Sequence, residues 1–394
     1  MTDSFAPLRQ KLAWEVPSER WYVPRDESFL QEIVTELSAG RERGVIWVTA
    51  PSGAGLSTQL ARLGEELSGS GWRPVRISML GRAEPGRAIG PTAMVMVTAF
   101  WLLRALPDGN HQLDNSAERA ALRLVEALRV LSMLQAPRTR SDWVNSLGQA
   151  LFVTIQRMKS PTFLEQIEAE PSMSFADWAE VVTGLTKVLS TGSKIVLIVD
   201  DVNELDLAGG ADRLLPRVAS LWQTLSVPVV MSYPRRLDYS KDFAYVTSRE
   251  PRIALRPLPV SGRAEFHHEV FKRRMSRVAL EPSVVAAADQ LASGNTAEFL
   301  DLIANALRTA AARGEQPSLH HVDAVGKRRG EELRRLVVGG GALREFQALA
   351  RDGSLEELAA PWLGVRAVVE DGDAATLRIH PGLATEIAAK ETQD

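Results

Sequence analysis

The chain has 394 residues, of which 45% are hydrophobic and 24% charged; that is enough for two or three globular domains and unlike a disordered or fibrous polymer. It contains no cysteine, which excludes disulfides, thiolate-ligated metals and thiol nucleophiles and fits a reducing compartment. The formal net charge is −3, so the whole-chain field draws it to neither nucleic acid nor anionic lipid, and only eight of the 46 basic residues are lysine.

The first residues, MTDSFAPLRQKLAWEV, lack the basic-then-apolar layout of a secretory signal, and a cytoplasmic location without membrane association is expected. After a leader over 1–25, apolar residues at Phe29, Ile33, Val34 and Leu37 predict an amphipathic helix over 26–39. Gly44 to Ala50 reads as a buried strand, stops at Pro51-Ser52-Gly53-Ala54-Gly55, and is followed by a helix over 57–67 through Leu60, Leu63 and Leu67. A second strand over 74–79 completes a βαβ unit. Residues 91–189 are mostly helical and form a large insertion; the uncharged stretch from Ala88 to Leu103 is short for a membrane span and reads as a buried helix. Continuous apolar runs at 194–199 and 227–232 suit strands of a parallel sheet covered on both faces. Helices are then expected over 261–275, 282–292, 296–313 and 317–337, with a hinge at Gly339-Gly340-Gly341. The end reads as helix 342–351, a short helix 354–359, a hairpin joining 365–369 to 376–379 through Asp371-Gly372-Asp373, and a last helix, which is a winged-helix-like order.

A strand that feeds a glycine-rich turn and a helix presents unpaired N–H groups at the positive end of a helix dipole, a natural anion site. Against the phosphate-loop pattern G-x-x-x-x-G-K-S/T, residues 50–57 retain the second glycine as Gly55 and the Mg²⁺-binding hydroxyl as Ser57, followed by Thr58. The first glycine is Ala50 and the lysine is Leu56. Asp200 and Asp201 end an apolar strand more than a hundred residues on, where a Walker B strand carries its Mg²⁺-binding carboxylate.

Together these segments resemble the P-loop NTPases. Tyr22 to Ser28, with Arg25, and Ser232 to Arg236, with Arg235, narrow the likeness to AAA+ and STAND ATPases, the group that includes origin-recognition and initiator proteins. They look like its R-x-x-x-L helix start and its sensor-1 strand end. The resemblance spans roughly residues 20 to 390. It implies a P-loop α/β domain over 26–256 containing the insertion, a helical lid over 257–338 and a winged-helix-like domain over 342–394. It also implies ATP or ADP with Mg²⁺ as cofactor: Gly53, Gly55, Leu56, Ser57, Thr58, Arg25, Ser232 and Arg235 are its nucleotide-site positions, Ser57 and Asp200 its metal ligands, and Asp200 and Asp201 its catalytic carboxylates.

Two cations of that site are missing. Leucine at 56 makes no charge-assisted bond to phosphate, a loss of about 1.5–3 kcal/mol for each such bond. In the sensor-2-like turn 292–298, Ala297 stands where the family usually has arginine. Arg25 and Arg235 are the candidate substitutes.

The pairs His267-His268 and His320-His321 lack the i, i+4 spacing of a helical zinc pair and are expected solvated or partly buried, and His380 closes the wing strand. Residues 342–390 hold five basic against eight acidic side chains, which favours a protein-facing over a DNA-facing winged helix. If nucleic acid is bound, Lys272, Arg273 and Arg274 with Lys327, Arg328 and Arg329 on the lid are the better candidates. Three readings follow: a degenerate ATPase that serves as a regulatory or scaffolding platform for protein partners and has the capacity to oligomerise, an active ATP-hydrolysing regulator, and a DNA-binding initiator- or transposition-type regulator.

Overall fold

Val45, Ile46, Trp47 and Val48 form a strand because a sheet covered on both faces can bury all four. The computed structural model describes residues 21–25, 27–39, 43–79, 90–107, 113–132, 143–158, 161–170, 172–202, 211–352, 362–370 and 377–391. In it, β1 (Gly44–Thr49), β2 (Trp72–Ser78), β3 (Lys194–Asp200), β4 (Pro228–Ser232) and β5 (Arg252–Ala254) make one parallel sheet in the order β2-β3-β4-β1-β5. Alternation sorts their side chains: Val45 and Trp47 join one core with Leu197 and Val199, while Ile46 and Val48 join the opposite core with Val196 and Ile198. Because β4 pairs with both β1 and β3, the loop that leaves β1 and the carboxylates that end β3 emerge at the same edge of the sheet.

One face is covered by α1 (Ser28–Ser38) and α2 (Leu56–Gly69), through Ile33, Leu60 and Leu63. On the other face lie α3 (Pro91–Ala105), α4 (Asn115–Ser132), α5 (Trp143–Arg157), α6 (Pro161–Ala169), α7 (Phe175–Ser190) and α8 (Ala211–Thr224). The apolar stretch foreseen as a buried helix is α3, buried almost all round. The Glu168 carboxylate caps it by accepting from the Thr92 and Ala93 N–H groups at 3.3 and 2.9 Å, and Gly90 leaves the room that carboxylate needs. Among the described residues no helix is long and apolar enough to cross a membrane.

After a 3-10 turn (Arg235–Tyr239) and α9 (Lys241–Val246), the chain enters α10 (Arg263–Arg274), α11 (Pro282–Ala292), α12 (Thr296–Arg313) and α13 (Leu319–Gly339). Phe271, Val284, Phe299 and Ile303 form their shared core. Finally α14 (Leu343–Asp352), the antiparallel pair β6 (Val368–Glu370) and β7 (Leu377–Ile379), and α15 (Pro381–Glu391) gather around Phe346, Ala367 and Leu383. The short helix expected over 354–359 and the turn Asp371 to Asp373 lie outside the described residues.

Two expectations change. The strand β5 was not foreseen, and it pairs with β1 over only three residues. The histidines expected solvated or partly buried include two that are fully buried, because each has a polar partner inside: His267 meets Asp289 at 2.6 Å and stacks on Phe299, and His321 meets the Ser318 hydroxyl at 2.8 Å in an N-terminal cap. No group of three or more potential metal-binding side chains occurs among the described residues.

Candidate phosphate-binding site

The loop between β1 and α2 turns on two glycines in left-handed conformation, Gly53 at φ +82° and Gly55 at φ +92°, the latter directly before the first turn of α2. Gly55, at the N-cap position, makes no side-chain cap to that helix end. Thr58 is partly exposed on the same turn. Leu56, by contrast, is only 4% exposed and packs in the core shared by α1, α2 and the sheet. The position that would carry the lysine is therefore occupied by a core side chain.

The carboxylate side is assembled. The Ser57 hydroxyl donates to Asp200 Oδ1 at 3.2 Å, and the Asp201 N–H donates to the same oxygen at 2.7 Å. Asp200 Oδ2 is buried without a hydrogen-bond partner among the described residues. Burial, reinforced by the neighbouring Asp201 charge, pushes the Asp200 carboxyl up to about 7. Asp201 sits at φ +69° and accepts from the Ser78 hydroxyl, so it turns toward β2. Ser232 is buried at the end of β4, where its hydroxyl accepts from the Val202 N–H at 3.1 Å and holds the chain leaving Asp201. An orphaned carboxylate oxygen beside a hydroxyl is a hard-oxygen donor set suited to Mg²⁺.

The cation side is arranged differently. Arg25 reaches the loop, yet it donates to the Ala54 carbonyl at 2.6 Å and to the Arg256 carbonyl, bridging α2's entrance to the chain after β5. Arg235 donates from Nε to Glu370 Oε1 at 2.6 Å and pairs with Asp238, so it ties the end of β4 to β6. The turn between α11 and α12 contacts the loop. Asn295 caps α12 by accepting from the Glu298 N–H at 3.0 Å while its amide donates to the Ser52 carbonyl, and the Ala297 N–H donates to the Gly53 carbonyl at 3.2 Å. A cavity of about 30 Å³ remains between the loop, Asn295, Arg366 and Glu370, room for about one water. A second cavity of about 390 Å³, in the range of small-ligand pockets, opens on the far side of Arg25 between Phe29, Leu255, Pro257 and Phe266.

Sequence reasoning passed over three residues that complete this arrangement. Glu298, buried at the start of α12, accepts from Arg329 Nε at 3.0 Å and from Arg366 Nη1 at 2.7 Å. Burial opposes its charge, but the two guanidiniums hold its carboxyl below the ordinary value. Arg366 itself, at φ +62°, belongs to the chain entering β6, and Asn295 supplies the double contact described above. The lid cations proposed for nucleic acid are partly engaged inside the protein: Arg273 with Glu269 and the Tyr22 carbonyl, Arg329 with Glu298, and Arg328 with Thr309. Lys272 and Lys327 are exposed, and Arg274 is largely buried, which keeps it below its ordinary value.

A parallel sheet with the glycine loop after β1 and a buried aspartate ending β3, separated by one strand, is a recurrent nucleotide-binding arrangement. A Walker-type ATPase of Pyrococcus abyssi superposes on 93% of this chain and 96% of its own, with a TM-score of 0.50 at 13% identity. The fold is that of a P-loop NTPase. Cdc6p of Pyrobaculum aerophilum (TM-score 0.46, 12% identity, 98% of both chains) and the Orc1 protein of Aeropyrum pernix, solved in complex with DNA (0.43, 16%, 96% of this chain and 95% of that one), are more distantly similar. No protein-family model matches the sequence, and no curated protein matches it either.

Proposed function

We propose that this P-loop NTPase-fold chain is a degenerate AAA+/STAND-type protein that holds an adenine nucleotide weakly, hydrolyses it slowly or not at all, and acts as a regulated platform for protein partners in the cytoplasm. The observation that carries this reading is the split at the loop: Leu56 is in the core, while Ser57 and Asp200 remain paired at 3.2 Å. Without the lysine, the developing charge of a transferring phosphoryl group loses its nearest cation, and catalysis of that transfer is mainly such electrostatic stabilisation. The cavity of about 390 Å³ beyond Arg25 is large enough for a base, and Ser57 with Asp200 would hold the Mg²⁺ that accompanies the phosphates. Asn295 and Ala297 must give up their bonds to the loop for phosphates to enter, which weakens affinity further.

Calorimetric titration with ATP, with and without Mg²⁺, and a phosphate-release assay on the same preparation test the reading. Weak Mg²⁺-dependent binding with negligible release is expected. Sustained phosphate release that disappears in Asp200→Asn would establish the active-enzyme reading, which the orphaned Asp200 Oδ2 favours.

A further inference from the structure

Arg366 reaches the phosphate loop from the C-terminal segment, most of the chain away from Gly53 in sequence. A Cβ on Gly53 would stand 2.8 Å from Arg366 Nη2, 2.8 Å from the Ala297 Cβ and 2.5 Å from Asn295 Oδ1. The guanidinium is therefore held against the loop backbone at Gly53, beside the Ala297 methyl. Its two ends are used differently. Nη1 is anchored on Glu298 at 2.7 Å, and Glu298 is itself buried and held by Arg329 on α13. Nη2 is the end turned toward Gly53. The backbone of Arg366 is left-handed, at φ +62°, unusual for a residue with a Cβ, and such conformations persist only where surrounding contacts enforce them.

We infer that Arg366 is the cation that meets the phosphate chain of a bound nucleotide in this protein, doing from the C-terminal segment what neither Leu56 nor Ala297 can do. This rests on the nucleotide-binding reading above. A guanidinium suits the task, because its planar fork can keep one edge on a carboxylate and present the other to phosphate oxygens. Glu298 is the positioning residue: it accepts from Arg366 and, through its own N–H, is bonded to the Asn295 side chain that holds Ser52. Arg366 lines the small cavity beside the loop together with Ser52, Ala54 and Asn295.

The test is competition against a fluorescent ATP analogue, with Mg²⁺, by ATP, ADP and AMP on the full chain and on Arg366→Gln, which keeps a hydrogen-bond donor for Glu298 but no charge. Removing one charge-assisted phosphate contact is expected to weaken ATP and ADP at least about tenfold and leave AMP within about twofold. Arg366→Lys should recover part of the loss. Unchanged ATP affinity in Arg366→Gln would overturn the inference alone, as would an equal loss of ATP and AMP, the signature of a merely structural residue. If Arg366→Gln melts well below the parent protein, Arg366→Lys carries the test: it keeps the charge but loses the fork, and it must shift ATP and not AMP, an equal shift of both again overturning the inference. No binding of any nucleotide by the unaltered protein would overturn the nucleotide-binding reading itself.

Discussion

The two halves of the candidate site were built by different parts of the chain. The carboxylate half lies on adjacent elements of one sheet edge: Ser57 lies in the first turn of α2, Asp200 ends β3, and they meet at 3.2 Å, with the Asp201 N–H on the same carboxylate oxygen. On the other side, Leu56 and Ala297 supply no cation. This cation half is populated instead by guanidiniums from a distance, Arg25 before α1, Arg235 after β4 and Arg366 before β6, each anchored on a carbonyl or a carboxylate. The Ser57–Asp200 contact is thus made within the sheet domain, whereas the arginine contacts depend on how α12 and the C-terminal segment dock.

Glu298 is where the second half is most exposed to disruption. Replacing it with alanine leaves Arg329 and Arg366 partly buried without their shared carboxylate, and breaking a buried pair from one side costs about 3–5 kcal/mol. A urea titration should show a correspondingly lower midpoint, and Glu298→Gln, which keeps the acceptor but not the charge, should fall between. An unchanged midpoint in Glu298→Ala would mean that the cation half does not depend on this docking.

Leu56→Lys addresses the other side of the contrast. A lysine forced among Leu60, Ile198 and Val230 buries a charge, and a loss of about 2–3 kcal/mol is expected in the same titration. A gain of ATP affinity with stability intact would show instead that position 56 opens onto the phosphates, and would dissolve the distinction between the halves.

Asp200 tests the carboxylate half through pH. Its carboxyl is raised to about 7 in the fold, above the ordinary 3.8 of an unfolded chain, so the folded state binds the proton more tightly. The stability this contributes is complete below about pH 4 and is lost as pH rises through 7. Asp200→Asn cannot ionise, and its melting temperature should therefore vary less between pH 4 and 8 and exceed that of the parent protein at pH 8, an effect of about 1–3 kcal/mol. Mg²⁺ should produce the same rise in the unaltered protein, by supplying a partner for the buried charge. A melting temperature at pH 8 that neither Mg²⁺ nor Asp200→Asn raises would mean that Asp200 is already compensated.

Much of the sheet was legible because β1, β3 and β4 are continuous apolar runs, the pattern of strands covered on both sides, and α3 announced itself by lacking any charged face until Arg104. The three-residue β5 carries no such pattern and exists because the edge of β1 is there to pair with it. Leu56 was read as a gap in a phosphate site, yet a clearer signal was present: Leu56, Leu60, Leu63 and Leu67 continue one stripe at helical spacing, and all four are buried. Arg366 could not have been found this way. Nothing local distinguishes it from other arginines; its role depends on a tertiary approach to Gly53 across most of the chain.

Asn295 joins the halves with the smallest expected energy and the most specific readout. Its side chain performs two tasks at once, accepting from the Glu298 N–H as the cap of α12 and donating to the Ser52 carbonyl. Alanine removes both, and a cap is worth about 1 kcal/mol. The substitution Asn295→Asp separates the tasks, because a carboxylate keeps the acceptor for the cap but has no donor for Ser52. It should retain most of the stability that Asn295→Ala loses while freeing the loop from the lid, which is read as faster amide exchange at Ser52 to Gly55. Exchange there that stays as slow as in the unaltered protein would mean that the Ala297 bond to Gly53, with Arg366 above it, is sufficient to hold the loop closed.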